Sequence, residues 1–183
     1  VTGSIYNDNL TAANGGSVIR GGDGNDTIKG AAGNDTLYGD NGNDTFYAGD
    51  GDDTIYGGAG DDAIYSAGGN NILIGGVGAD TMNGFGGTAT GIYSASSSAV
   101  NITLTTNVNT GGDAQGDRLY GVTNITGTDF DDTIIGDGFS NILTGGTGND
   151  LLSGIGYGGN TLDGGDGIDT VSYSYAPAVY VNL

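Results

Sequence analysis

A nine-residue repeat constrains the fold of this chain more than any other feature of its sequence. Residues 21–29 read GGDGNDTIK, and the four units that follow, up to residue 65, keep the same register. Weaker copies extend this first block over residues 1–88, and a second block starts at residue 127 with one extra residue after Ser153. A unit this short cannot bury an apolar face alone, so successive units must stack on one another.

Each place in the repeat has its own requirement. The first, second and fourth places are mostly glycine, which adopts backbone angles that a Cβ would forbid and so allows a tight turn. Places seven to nine hold good strand formers, which predicts a short strand there. Because side chains alternate along a strand, the eighth place faces inward and the ninth outward. The predicted core ladder is Leu10, Ile19, Ile28, Leu37, Phe46, Ile55, Ile64, Leu73, Met82, Ile134, Leu143, Leu152, Leu162 and Val171.

This repeat resembles the G-G-x-G-x-D-x-U-x nonapeptide of RTX proteins, a calcium-binding β-helix repeat. The resemblance covers most of the chain, and many units in register are far more specific than a single one. It implies an all-β fold, a right-handed parallel β-roll (β-solenoid) of 18-residue coils with a sheet on either side. Residues 18 positions apart would then stack at about 4.8 Å, the spacing of neighbouring strands.

The repeat is interrupted once, which predicts the domain organisation. We expect a first roll over residues 1–88, an intervening β segment over 89–126 and a second, shorter roll over 127–172. Residues 99–104 (AVNITL) match residues 178–183 (AVYVNL), and Tyr93 matches Tyr173. Residues 173–183 therefore look like the start of a further non-repeat β segment, in which Val179, Val181 and Leu183 alternate as in a half-buried strand.

The sixth place carries most of the carboxylates, and stacked carboxylates cannot all stay ionised without a cation between them. Calcium suits such a place because it takes six to eight oxygen ligands in flexible geometry, whereas magnesium demands an octahedron and keeps its water. The sixth-place rows of the first block are Asp8, Asp26, Asp44, Asp62, Asp80 and Ser17, Asp35, Asp53, Asn71, Ala89. Those of the second block are Asp132, Asp150, Asp169 and Asn141, Asn160.

The resemblance also implies the ligands of each ion. One turn supplies the carbonyls of its second and fourth residues, the next turn those of its first and third, and both supply the sixth-place Asp. Five to nine ions are expected, with weak or no binding where Asn or Ser replaces Asp. The predicted ligands are Asp8, Gly22, Gly24, Asp26, Ala31, Gly33, Asp35, Gly39, Asp40, Asn41, Gly42, Asp44, Ala48, Asp50, Asp53, Gly57, Gly58, Ala59, Gly60, Asp62, Gly75, Val77, Asp80, Asp132, Gly145, Gly146, Thr147, Gly148, Asp150, Gly164, Asp166 and Asp169.

Composition excludes several classes of partner. All 22 acidic residues are Asp, only three residues are basic, and the net charge is −19. Such a chain is not a nucleic-acid binder, and without metal it repels itself. There is no Cys to form a disulfide, and no apolar run approaches the roughly 18 residues of a membrane span.

An enzymatic role is disfavoured because the chain has no His, Cys or Glu and its Asp pairs are committed to metal sites. The resemblance implies a calcium-binding structural module that folds on Ca²⁺ after type I secretion, within a larger bacterial extracellular or cell-surface protein. Two alternatives stay open. One is an adhesin or surface-layer module that contacts glycan or neighbouring copies; the other is the C-terminal accessory part of a secreted enzyme whose catalytic domain lies elsewhere.

Overall fold

The structure is a computed structural model that describes residues 1–156, 158–174 and 180–182. These residues form strands and almost no helix. Val179 and Leu183, predicted in an alternating strand, lie outside the described residues. The strands are β1 (Asn9–Thr11), β2 (Val18–Asp23), β3 (Thr27–Ala32), β4 (Thr36–Asn41), β5 (Thr45–Asp50), β6 (Thr54–Ala59), β7 (Ala63–Tyr65), β8 (Asn70–Val77), β9 (Thr81–Asn83), β10 (Thr88–Ile92), β11 (Asn101–Thr103), β12 (Arg118–Tyr120), β13 (Asn124–Thr126), β14 (Thr133–Ile135), β15 (Ile142–Thr147), β16 (Leu151–Ile155), β17 (Thr161–Asp166), β18 (Thr170–Ser174) and β19 (Tyr180–Asn182).

The coils have the predicted length. Neighbouring strands pair in parallel with partners 18 residues apart, as in Thr27 with Thr45 and Thr36 with Thr54. The all-β parallel solenoid expected from the sequence is therefore confirmed. Most strands of the first block are longer than the three residues predicted, because they continue through the first three places of the next unit, as β3 does from Thr27 to Ala32.

The chain divides into two compact units, residues 1–90 with 118–122 and residues 91–117 with 123–183. In the first unit one sheet has the order β1-β3-β5-β7-β9-β12, and the facing strands follow the order β2-β4-β6-β8-β10. In the second unit the two sets are β11-β14-β16-β18 and β13-β15-β17-β19. Strands between residues 89 and 126, where the repeat is lost, thus join the same ladders as the repeat strands.

The predicted core ladder is buried over nearly its whole length. Every eighth-place residue from Ile19 to Met82, and from Ile134 to Leu162, has no solvent-exposed surface. Leu10 and Val171, the first and last members, are half-buried. The ladder is extended by three residues that lie outside the repeat, Ile102, Leu119 and Ile125, whose strands pair with repeat strands.

None of the helices in the described part of the chain has the length and apolar character needed to cross a membrane. The one 3₁₀ helix reported there, Gly112–Ala114, is a single short turn.

Candidate calcium sites

The sixth-place aspartates form the stacked rows that the sequence predicts. The backbone N–H of Asp26 donates to Oδ1 of Asp44 at 2.7 Å, and the N–H of Asp44 donates to Oδ1 of Asp62 at 2.7 Å. In the facing row the N–H of Asp35 donates to Oδ1 of Asp53 at 2.8 Å. One oxygen of each carboxylate is therefore used to link successive coils.

The second oxygen of these carboxylates is buried without a protein partner. Buried polar atoms are nearly always hydrogen-bonded, and leaving a charged one unpaired is costly. A row of such atoms therefore points to a ligand that binds oxygen. The atoms are Oδ2 of Asp26, Asp35, Asp44, Asp53, Asp62 and Asp150.

Backbone carbonyls converge on the same places. A Cβ built on Gly39 would overlap both Oδ2 of Asp44 and the carbonyl oxygen of Gly57. Gly57 has the same relation to Asp62 and Gly75. The first-place glycine is thus required by this close approach, and not by its backbone angle, because neither residue has a positive φ.

The second and fourth places do require a left-handed backbone. Gly22 and Gly24 have φ of 113° and 111°, and even the non-glycine residues Ala31 and Asp40 adopt positive φ, at 87° and 74°. This geometry aims the second- and fourth-place carbonyls at the next coil. The carbonyl oxygens of Asp40 and Gly42, for example, lie against Gly58 and Gly60.

Third-place carbonyls point the other way. The N–H of Gly24 donates to the carbonyl oxygen of Asn41 in the following coil at 2.9 Å, and Gly42 donates to Ala59 at 2.8 Å. Forward carbonyls from one turn and backward carbonyls from the next thus face each other beside the carboxylates. The ligand sets that the RTX resemblance implies combine such carbonyls with the carboxylates, and they stay a prediction.

The carboxylates are held at an electrostatic cost when no metal is bound. Burial raises the pKa of Asp44 to about 6 and that of Asp62 to about 7, although a backbone N–H lowers each in part. Neighbouring carboxylates raise both values further. The ion pair that the structure records within its described ranges joins Arg20 to Asp40 at 2.8 Å, on the exposed face. This ion pair involves a second-place aspartate and none of the buried sixth-place carboxylates.

The donors fit calcium. The site predicted from the RTX resemblance combines two carboxylates and four carbonyls, all hard oxygens, within the six to eight that Ca²⁺ takes. No cluster of three or more His, Cys, Asp or Glu side chains suited to a metal occurs in residues 1–156, 158–174 and 180–182. Carbonyl oxygens must therefore complete any coordination shell here.

A comparison with protein families bears on the same repeats. Four copies of the RTX calcium-binding nonapeptide repeat match, at residues 2–37, 38–73, 65–88 and 126–154. The chain belongs to this family. It is therefore a calcium-binding repeat module of RTX proteins. A comparison with curated proteins found no match.

Two turns of the first block, in which Ser17 and Asn71 replace the sixth-place aspartate, differ from the aspartate turns. The amide nitrogen of Asn71 lies 3.4 Å from the carbonyl oxygens of Ala67 and Gly68, and Oγ of Ser17 donates to the carbonyl of Ala13 at 3.3 Å. These donors point at carbonyls of their own turns. The prediction of weak or absent binding in these turns agrees with this geometry but stays a prediction.

In the second block the row survives the extra residue. The N–H of Asp150 donates to Oδ1 of Asp169 at 2.9 Å, across 19 residues instead of 18. The added residue lies after Ile155 and not directly after Ser153, because β16 stays in register with β18 as far as Ile155 with Ser174, while β16 and β17 start ten residues apart. Asp150 and Asp169 therefore keep the hydrogen bond that joins other neighbouring sixth-place aspartates, and the calcium site predicted between them stays a prediction.

Asp8 and Asp132 differ from the other predicted ligands. Oδ2 of Asp8 accepts the N–H of Ser4 at 2.6 Å, and Oδ2 of Asp132 accepts the N–H of Thr128 at 2.6 Å. Both carboxylates therefore have protein donors.

A second side-chain ladder was missed by the sequence analysis. Oδ1 of Asn25 accepts the N–H of Asn43 at 3.0 Å, Asn43 in turn accepts from Asp61, and Asp61 accepts from Ala79. These fifth-place residues bond toward the next coil, opposite to the sixth-place ladder. The recurrence of Asn or Asp at the fifth place was the available signal.

Proposed function

We propose that this chain is a calcium-triggered folding module of a larger bacterial protein that functions outside the cell or on its surface. The observation that carries the proposal is the row of buried Oδ2 atoms without protein partners. With calcium bound, these atoms complete a shell of oxygens. Without it, they repel one another in a poorly solvated environment.

Metal binding is therefore coupled to folding. A site that exists only in the folded chain contributes its binding free energy to the stability of that fold. A net charge of −19 opposes compaction until calcium neutralises it. In a compartment with little calcium the chain stays unfolded, as export through a narrow channel requires, and it folds on reaching a calcium-rich medium.

The module itself is non-catalytic. The chain contains no His, Cys or Glu, and its buried sixth-place aspartates serve as calcium ligands under this proposal. A catalytic domain, if the parent protein has one, lies in another part of that protein.

The test is circular dichroism of the chain with chelator, with millimolar Ca²⁺ and with millimolar Mg²⁺. We expect a mostly unfolded spectrum in chelator, β-structure in calcium, and no rescue by magnesium. A chain equally folded in chelator and in calcium would contradict the proposal.

An assembly or adhesin module is the second candidate, supported by the outer face of the first unit. Tyr38 and Tyr56 stack with ring centroids 4.7 Å apart, and the guanidinium of Arg20 lies 4.5 Å from the centre of the Tyr38 ring. Tyr56 still has 38% of its surface exposed. Sedimentation of Tyr56→Ser and Ile74→Ser variants in calcium checks this role. An unsubstituted chain that self-associates more strongly than the two variants supports this role. An unsubstituted chain that is monomeric and sediments like the variants contradicts it.

A further inference from the structure

The first turn of each block closes on itself through hydrogen bonds. In residues 3–8, Ser4 donates to Oδ2 of Asp8 from its N–H at 2.6 Å and from its hydroxyl at 2.9 Å. The N–H of Tyr6 donates back to Oγ of Ser4 at 3.2 Å. Ser4 thus donates to the carboxylate and also accepts a hydrogen bond from the backbone of its own turn.

The first turn of the second block, residues 127–132, repeats this arrangement independently. Thr128 donates to Asp132 from its N–H at 2.6 Å and from its hydroxyl at 2.9 Å. Phe130 donates its N–H to Oγ1 of Thr128 at 3.0 Å. Both turns share the pattern Gly, Ser or Thr, any residue, aromatic, any residue, Asp.

A third turn, residues 136–141, uses an aspartate at the same place. Asp137 donates its N–H to Oδ1 of Asn141 at 3.0 Å, and Phe139 donates its N–H to Oδ1 of Asp137 at 2.9 Å. We call residues 3–8, 127–132 and 136–141 the closed turns. Turns such as 21–26, whose second and fourth residues have positive φ, are the open turns.

The backbone differs between the two classes. The second and fourth residues of the closed turns, such as Thr128 and Phe130, have no positive φ. Their second-place N–H points at the sixth-place side chain, which is a carboxylate in residues 3–8 and 127–132 and the amide oxygen of Asn141 in residues 136–141. A donor N–H carries partial positive charge, and beside the carboxylate it repels a cation that would bind there.

The fourth-place carbonyl is also turned away at the start of the first block. The atoms nearest a Cβ built on Gly24 are the carbonyl carbon of Tyr6 and the nitrogen of Asn7. The open turn of residues 21–26 differs. There the fourth-place carbonyl oxygen, that of Gly24, is the atom nearest to a Cβ built on Gly42 in the next coil. The second-place carbonyls of Ser4 and Thr128 still reach Gly22 and Gly146, so the closed turn of residues 3–8 differs from an open turn at its fourth-place carbonyl.

We infer that the closed turns bind no calcium and that the first coil of each block is a metal-independent cap from which the ion rows begin. The inference rests on the proposed calcium-binding function and revises the ligand role predicted for Asp8 and Asp132. The other turn of the first coil, residues 12–17, ends in Ser17, whose hydroxyl bonds its own turn. Both first coils are therefore satisfied by protein groups alone.

The test is the number of calcium ions bound per chain, measured by equilibrium dialysis and atomic emission at saturating calcium. Asp132→Asn and Asp8→Asn should bind as many ions as the unsubstituted chain. The matched change in an open turn, Asp44→Asn, should lose one or two ions, because Asp44 lies between two sites. Loss of an ion from either closed-turn variant overturns the inference, and where one variant does not fold the other decides.

Converting a closed turn into an open one is the complementary experiment. The double variants Thr128→Gly with Phe130→Gly and Ser4→Gly with Tyr6→Gly should each bind one additional ion per chain. A folded double variant with unchanged stoichiometry overturns the role assigned to the hydroxyl residue. An unsubstituted chain that binds no calcium instead defeats the proposed function, so the two failures are distinguishable.

Discussion

The two carboxylate oxygens of the sixth-place aspartate have different surroundings. Oδ1 of Asp44 accepts the N–H of Asp26 and so joins two coils, while Oδ2 lies buried among carbonyls. An asparagine keeps the first bond but loses the charge. Under the proposed function the residue is a structural link and a metal ligand at once, which agrees with the use of short, rigid Asp and never Glu in the repeat.

At this scale we predict that Asp44→Ala weakens calcium-dependent folding far more than Asn71→Ala. The first change removes a ligand from two sites and leaves the N–H of Asp26 unpaired, a loss of about 1–3 kcal/mol from the hydrogen bond alone. The midpoint of a calcium titration followed by circular dichroism should rise about tenfold or more. Equal midpoints for the two variants would count against the site assignment.

The raised carboxyl pKa values predict a pH dependence of the calcium-free chain. In the metal-free fold the pKa of Asp44 is about 6 and that of Asp62 about 7, against 3.8 ordinarily, mainly because of burial. The folded state then binds more protons than the unfolded state, so this stabilisation is complete below pH 3.8 and is lost as the pH rises through 6 to 7.

Acidification of the metal-free chain from pH 8 to pH 5 should therefore increase its β-structure, as measured by circular dichroism. Over the same range the calcium midpoint should rise, because the ion must displace bound protons. The Asp44→Asn, Asp62→Asn double variant should show a flatter pH profile. Identical spectra of the metal-free chain at pH 5 and pH 8 would argue against raised pKa values in a compact state.

At the scale of the element, the unit in most of the first block is a six-residue strand followed by three residues, at places four to six, that lead into the next strand. The strand reaches the next unit's third place because first-place glycines let the chain pass close to the carboxylate and to the coil above. Two side-chain ladders bracket each turn. The sixth-place ladder bonds toward the preceding coil, and the fifth-place ladder bonds toward the following one.

We predict that Gly39→Ala raises the calcium midpoint and lowers thermal stability. Its Cβ would overlap Oδ2 of Asp44 and the carbonyl oxygen of Gly57, and overpacking of this kind typically costs about 1–3 kcal/mol. Gly138→Ala is the matched control, since a Cβ there meets nothing within 4 Å and its φ is not positive. Equal effects of both substitutions, in calcium titration and calorimetry, would contradict the account of the first place.

At the scale of the molecule, each unit is completed by strands from outside its repeats. In the first unit β12 pairs with β9 and sets Leu119 beside Met82. In the second unit β11 pairs with β14 and sets Ile102 beside Ile134. The chain between residues 89 and 126 is therefore shared between the units as end strands.

Shortening a buried side chain of an end strand should destabilise the folded, calcium-bound chain. Ile102→Ala removes a fully buried side chain, and we expect a loss of about 2–5 kcal/mol in the free energy of unfolding. Val108→Ala, at a position with 66% of its surface exposed, is the control and should change little. Denaturant unfolding in saturating calcium measures both. A silent Ile102→Ala would contradict the core position of β11.

The sequence by itself determined the coil length, the inward apolar ladder and the rows of carboxylates. These follow from a short repeat, because each unit places the same residue types at the same angles and stacking then repeats the arrangement. Ile28, Phe46 and Ile64 are buried and Asp26 and Asp44 are stacked for that reason alone.

Only the tertiary structure decided which non-repeat strands complete the two units and which turns close through their own hydrogen bonds. The partners of Ile102 and Leu119 lie more than 30 residues away in the chain, where no local pattern specifies pairing. Ser4 and Thr128 occupy a glycine place, but their hydroxyls become donors to the carboxylate only because the backbone turns toward it. Hydrogen-bond direction is a property of the folded backbone, and the one-letter pattern does not contain it.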